Sequence, residues 1–213
     1  MLGANDGIAS VAAVVVGVAG ATTNESPILA AGVAALAGGA ISMALGEYVS
    51  VSSQRDSQRA VISDEIRAHR ERPQDELEEL VTVYQDKGLS PETARQVAVE
   101  LTRHDSVTAH LEAELGITEE QVVSPWQAAW ASALAFTSGG VLPLLAILLP
   151  PAQIRVPVTF VVVLAALAAT GAISGWAGGV HWLRPTIRVV TGGALALTVT
   201  FLIGTLLNTS GVV

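Results

Sequence analysis

The chain has 213 residues, 51% of them hydrophobic and only 14% charged, with 19 acidic against 11 basic side chains and a formal charge of −8. That apolar excess excludes an ordinary soluble domain, and the acidic balance excludes a basic surface of the kind that binds nucleic acid. Cysteine is absent, which removes disulfides, thiolate metal sites and catalytic thiols from consideration.

Apolar runs of about 20 residues, the length that crosses a bilayer as a helix, occur from Leu2 to Thr22, Pro27 to about Ser52, Trp126 to Leu149, Val156 to Gly178 and Val189 to Leu207. The predicted fold is therefore all-α and polytopic, with five transmembrane helices. The first run is not read as a signal peptide, because it lacks a basic leading region, contains Asp6, and meets a second span after a short turn. Glycines within the spans, such as Gly38, Gly39, Gly171 and Gly175, suit close helix contact in lipid. Pro143 is expected to break the third span in a structural role.

Between the second and third spans, residues 56–125 hold 16 acidic against seven basic side chains, a formal balance of −9. The expected organisation is residues 1–55 for helices 1 and 2, 56–125 for an inserted acidic helical domain, and 126–213 for helices 3 to 5. Arg55, Arg59, Arg184 and Arg188 flank one set of span ends and Arg155 alone the other. The excess of positive charge marks the cytoplasmic side, so the acidic domain is expected in the cytoplasm and the carboxyl terminus outside.

Within the second span, Met43 and Glu47 lie four residues apart and so stack on one helix face. A charged side chain at the centre of a bilayer helix is unfavourable by about 2.5 to 3.5 kcal/mol, which makes Glu47 a functional candidate. The turn Thr23-Asn24-Glu25-Ser26-Pro27 joins the first two spans, with Asp6 19 residues before Glu25 and Met43 18 after it. At a rise of about 1.5 Å per residue, Asp6 lies within about 1.5 Å of Met43 in depth and about 4.5 Å of Glu47. Two carboxylates and a thioether at one level form a candidate cation site. The sulfur favours a softer ion such as Fe²⁺ or Mn²⁺ over Ca²⁺.

Several stretches together resemble the vacuolar iron transporter family, which has plant, fungal and bacterial members. They are Gly3-Ala-Asn-Asp-Gly-Ile8, Val16-Gly-Val-Ala-Gly-Ala21, Gly46-Glu-Tyr-Val-Ser-Val-Ser-Ser-Gln-Arg55, Lys87-Gly-Leu89, Glu114-Leu-Gly116, Ser124-Pro-Trp126 and Pro143. The resemblance implies a bacterial-type member in the plasma membrane, acting as a homodimer of five-span subunits. It further implies export of Fe²⁺ or Mn²⁺ from the cytosol in exchange for protons, with the metal as substrate and no prosthetic group. Asp6, Met43 and Glu47 match positions of the family's translocation path. Carboxyls that are desolvated and close together hold protons readily, which makes Glu47 and Asp6 the expected proton-coupling pair. Family members usually carry a cytoplasmic segment before the first span, whereas only five residues precede Asp6 here. Either the sequence begins late or that segment is dispensable.

The family's cytoplasmic domain binds metal through two glutamate pairs and a later carboxylate. Glu76 and Glu79 match one pair and Glu65 begins the other, with Glu112 and Glu114 available as the last. Two positions depart: the partner of Glu65 is Ala68, and the family's methionine pair is His110-Leu111. His69, beside Ala68, and His110 are candidate substitute ligands, while His104 and His181 have weaker claims. In a single continuous helix Glu65 and Glu76 share a face yet stand about 16 Å apart. One ion is then expected not to bridge them, with Pro73 a possible kink between.

The expected mechanism is metal capture by the acidic domain, transfer to Asp6, Met43 and Glu47, and displacement outward by protons. A membrane-anchored metal buffer or sensor is the alternative. The bland reading of the acidic domain is a solvated helix bundle. Catalysis is disfavoured, since the spans hold no paired histidines, no nucleophile beside a base, and no glycine-rich phosphate loop after a strand.

Overall fold

The computed structural model describes residues 2–114, 116 and 124–210. The extreme carboxyl terminus, whose side of the membrane the sequence predicts, lies outside them. Among the described residues there are helices and no strand: α1 (Leu2–Ala21), α2 (Glu25–Glu71), α3 (Pro73–Asp86), α4 (Pro91–Ala113), α5 (Pro125–Leu148), α6 (Arg155–Ala177) and α7 (Leu183–Thr209). Helices α1, α2, α5, α6 and α7 are long and apolar enough to cross a membrane. The chain divides into two compact units, one of residues 1–48 with 126–213 and the other of residues 49–125.

In the spanning unit α1 is the central element. Val11, Ala12, Val15 and Val16 are all fully buried, against Phe136 and Ile147 of α5, Val163 and Leu167 of α6, and Leu197 of α7. Glycines let the backbones approach: a Cβ on Gly139 would strike the backbone of Ala4, and one on Gly204 the backbone of Gly17. This is how helices gain dispersion contact where lipid offers no hydrophobic driving force. Arg155, only 3% exposed at the start of α6, donates to Glu25 at the start of α2 over 2.9 Å.

The apolar run of the second span ends near Ser52, and the helix leads on into the polar region as far as Glu71, because residues 53–71 contain neither glycine nor proline to stop it. Two details differ from the sequence reading. Helix α7 starts at Leu183 rather than Val189, with Pro185 placed in its first turn, where no backbone hydrogen bond is lost. Pro143 does not break α5, which continues through it with the ring fully buried among neighbours.

The polar unit comprises the later part of α2 with α3 and α4. Leu80, Val81, Ala94, Ala98 and Ala109 form its small core, with Leu77, Tyr84 and Leu101 packed alongside. Gly88, at a φ of 98°, makes the turn out of α3 that a side chain would strain. Ser90 then caps α4, accepting from the Thr93 N–H at 3.3 Å, with Pro91 in the first helical position. Helix α4 is kinked at Asp105, whose carboxylate accepts from the backbone N–H and hydroxyl of Thr108 at 3.1 and 2.9 Å. Asp105 thereby caps the final segment, the one that carries His110.

Candidate metal centres

In the polar unit, Glu65 and His69 occupy successive turns of α2, the spacing that puts them on one face. Two residues after His69 the helix stops. Pro73 has no N–H to continue the ladder, and Arg72 takes the non-helical φ of −139°. The chain changes direction there, and Glu76, in the first turn of α3, comes within 4.8 Å of Glu65, donor atom to donor atom. The expectation that one ion could not reach both glutamates is thus overturned: it assumed a single straight axis through Pro73.

His110, carried by the segment that Asp105 caps, closes the group. One donor atom from each of Glu65, His69, Glu76 and His110 lies within 4.8 Å of all the others. The Glu65 carboxylate oxygen Oε1 stands 3.3 Å from His69 Nε2 and 3.3 Å from His110 Nδ1, and Glu76 Oε2 is 4.0 Å from His110 Nδ1. The two imidazoles meet edge to face, with centroids 4.6 Å apart. His110 is 1% exposed and Glu76 5%. Glu65 Oε1, His69 Nε2 and both His110 nitrogens are buried without a hydrogen-bond partner. Buried polar atoms are normally satisfied, so the three unsatisfied ones that face each other, Glu65 Oε1, His69 Nε2 and His110 Nδ1, mark a place for a ligand.

The remaining acidic candidates sit around this group. Glu79 and Glu114 line an open cavity of about 540 Å³ together with Glu65 and Glu76, and Ala68 contributes its methyl to the same wall. Glu114 Oε2 is 3.9 Å from His110 Nδ1. Partial burial, and then the charges of Glu79 and Glu65, push the Glu114 carboxyl above its usual range. Glu112 is exposed and stands apart from the group.

In the spanning unit, Asp6 of α1 and Met43 of α2 line one open cavity of about 530 Å³ with Leu167 of α6 and Gly192 and Gly193 of α7. Asp6 accepts from the Ser10 hydroxyl at 2.9 Å. Glu47, one turn beyond Met43, is exposed and does not line the cavity. Two further residues do, and the sequence reading assigned neither to the site. Asn5 presents a buried amide oxygen without a hydrogen-bond partner. An amide beside a carboxylate in an apolar run, costly to bury unpaired, was its signal. Arg188 also lines the cavity, although its charge was read only for orientation. The residues lining the cavity thus include a carboxylate, an amide and a thioether, groups of the kind a cation takes as ligands, together with the guanidinium of Arg188.

Five membrane-crossing helices, a cavity of cation-ligating atoms among them and a histidine–glutamate group in a polar unit define a metal-handling membrane protein. Residues 1–205 match the VIT family. A vacuolar iron transporter of Acanthamoeba castellanii is 39% identical over 210 residues, covering 98% of this chain and 77% of that protein. Vacuolar iron transporter homolog 2 of rice is 33% identical, covering 94% of this chain and 85% of its own length. Vacuolar iron transporter 1 of Arabidopsis thaliana is 29% identical, over 94% of this chain and 82% of that one. The chain belongs to the VIT family, a family of transporters rather than enzymes.

Proposed function

We propose that this protein exports Fe²⁺ or Mn²⁺ from the cytosol in exchange for protons. The observation that carries the reading is the cavity in the spanning unit, where Asn5, Asp6 and Met43 bring oxygen and sulfur ligands together among apolar helices. Borderline ions such as Fe²⁺ accept that donor set, whereas Ca²⁺ favours an all-oxygen shell. Iron as cargo agrees with the names of the relatives.

Protons enter through Asp6 and Glu47, whose carboxylates hold metal when ionised and release it when protonated. Glu47 supports a homodimer as well. It is exposed on a span whose neighbours Ile41 and Leu45 are 61% and 60% exposed. A carboxylate turned toward lipid is costly, and a second copy laid along α2 supplies Glu47 with a protein or aqueous neighbour. The translocation path then runs between the first two spans of both subunits, in the plasma membrane of a bacterium. Residues 56–125 face the cytoplasm and gather metal there through Glu65, Glu76, Glu79 and Glu114, with the carboxyl terminus on the far side.

The compact group in the polar unit favours one other reading, a membrane-anchored buffer or sensor that binds metal and moves none. Purified protein in liposomes separates the two, with one dye reporting metal and another pH. A transporter passes Fe²⁺ across the bilayer with an opposite proton movement, whereas a buffer depletes metal on its own side in proportion to protein and stops.

A further inference from the structure

The connection between α6 and α7 gathers positive charge that its own part of the chain does not balance. Residues 126–213 contain three arginines and neither aspartate nor glutamate. One of the three, Arg155, pairs with Glu25. The other two, Arg184 and Arg188, lie four residues apart in the first turns of α7 and so stack on one face, where like charges repel. Among the described residues neither forms an ion pair with a carboxylate.

Both arginines line an open cavity of about 660 Å³ with Val180, His181 and Pro185. Close backbone contact fixes its walls: a Cβ on Gly175 of α6 would stand 2.8 Å from Cα of Trp182, and one on Gly171 2.8 Å from Cα of Thr186. The turn between the helices is set by Gly179, at a φ of 65°, and by the Val180 N–H donating to the Gly175 carbonyl at 3.1 Å. His181 is oriented too. Its Nδ1 accepts from the Leu183 N–H at 3.4 Å, which puts the ring proton on Nε2 and makes that nitrogen a donor. The lining residues thus carry two guanidinium groups, an imidazole donor and no carboxylate, a composition that suits a phosphate anion.

The surroundings say which phosphate. The apolar run of α7 begins at Val189, so the two arginines stand just before it, at the depth of lipid headgroups. Trp176, in the last turn of α6, and Trp182, just before α7, are 81% and 51% exposed. Tryptophan exposed at a span end is typical of the membrane–water boundary. Val180, Leu183 and Ile187 are exposed beside them, an apolar rim that an acyl chain covers and a free anion does not.

We propose that this cavity binds the headgroup of an anionic phospholipid, with the phosphate held by Arg184, Arg188 and Nε2 of His181 and the acyl chains lying along the apolar rim. Basic pockets between membrane helices recognise such headgroups by charge. The lipid supplies the negative charge that residues 126–213 lack. Arg188 also lines the Asp6 cavity, so the headgroup engages a residue shared with the proposed metal path. The inference concerns lipid binding alone and holds whether or not the protein moves metal.

The test is native mass spectrometry of the full chain in detergent, mixed with equal amounts of phosphatidylglycerol and phosphatidylcholine. Phosphatidylglycerol should be retained in preference to phosphatidylcholine. Arg184→Gln, at an exposed position, should weaken its retention about fivefold, the effect of about one charge at an anionic surface. Arg103→Gln removes an exposed arginine of the polar unit and should leave retention unchanged. His181→Ala should weaken it by a smaller factor than Arg184→Gln. Excess inorganic phosphate should not displace the lipid. Equal retention of the two lipids, or equal losses in the Arg184 and Arg103 variants, would overturn the site, and displacement by phosphate would overturn a lipid as its occupant.

Discussion

The polar unit and the spanning unit solve the same chemical problem to different degrees. In the polar unit a single chain brings two imidazoles and two carboxylates within 4.8 Å of one another, three of them from positions on either side of the helix break at Arg72. In the spanning unit the donors are looser: Asn5, Asp6 and Met43 share an open cavity, and Glu47 stands outside it. A compact donor set holds an ion more firmly than a loose one, so the difference suits the proposed division between capture in the polar unit and passage through the spanning unit.

The comparison breaks most sharply at the buried histidine. His110→Leu removes a ligand and leaves Glu65 and Glu76 facing each other with one fewer cation partner. Metal-dependent stabilisation of the polar unit should vanish, as read by the loss of any Mn²⁺-induced rise in melting temperature. An unchanged rise would mean that the ion binds elsewhere.

A second test concerns the scaffold of the open site. Gly139→Leu places a side chain against the backbone of Ala4, one residue from Asn5. Overpacking of this kind costs about 1 to 3 kcal/mol. Thermal unfolding in detergent should register it, with transport lost alongside. Full stability would show that α1 and α5 do not pack this closely.

Ser90→Ala removes the cap of α4 and should cost the polar unit about 1 kcal/mol, measured by denaturant melting of the full chain with metal absent. Transport in liposomes should change far less than in the Gly139 variant. Equal losses would tie the two units together more tightly than their separate cores suggest.

The smallest expected effect is electrostatic. The Glu114 carboxyl is pushed up by partial burial and by Glu79 and Glu65, so the folded state holds its proton to higher pH than the unfolded chain does. Its contribution to stability is therefore present at low pH and lost as pH rises through the folded value. Glu114→Gln should slightly stabilise the metal-free protein at neutral pH and do nothing at acid pH, below the ordinary carboxylate range. A stabilisation confined to acid pH would reverse the sign and remove the repulsion from the picture.

Much of the spanning unit was legible in the sequence because bilayer thickness dictates span length and a tight turn dictates antiparallel pairing. Counting outward from Glu25 put Asp6 and Met43 at one depth, and the two line one cavity. Counting along one strand of sequence failed where the axis changes. Pro73 was read as a possible kink, and the break beside it brings together Glu65 and Glu76, which a single straight axis set about 16 Å apart. His69 and His110 were legible as candidate substitute ligands at the two departures from the family pattern. Their meeting was not, since it depends on the Asp105 kink, and nothing in local propensity aims the last turns of α4 at α2. Asn5 and Arg188 escaped notice for another reason. A lone amide or a span-end arginine acquires a role only through the helices packed beside it.

The most direct test of the central claim is Fe²⁺ flux into liposomes bearing wild type, Asp6→Asn or Glu47→Gln, with the melting temperature measured on the same preparations. Loss of metal flux and of its proton counterflow in both variants, with the fold intact, is the predicted result. Undiminished proton-coupled flux in both would contradict it and take the membrane carboxylates out of the path.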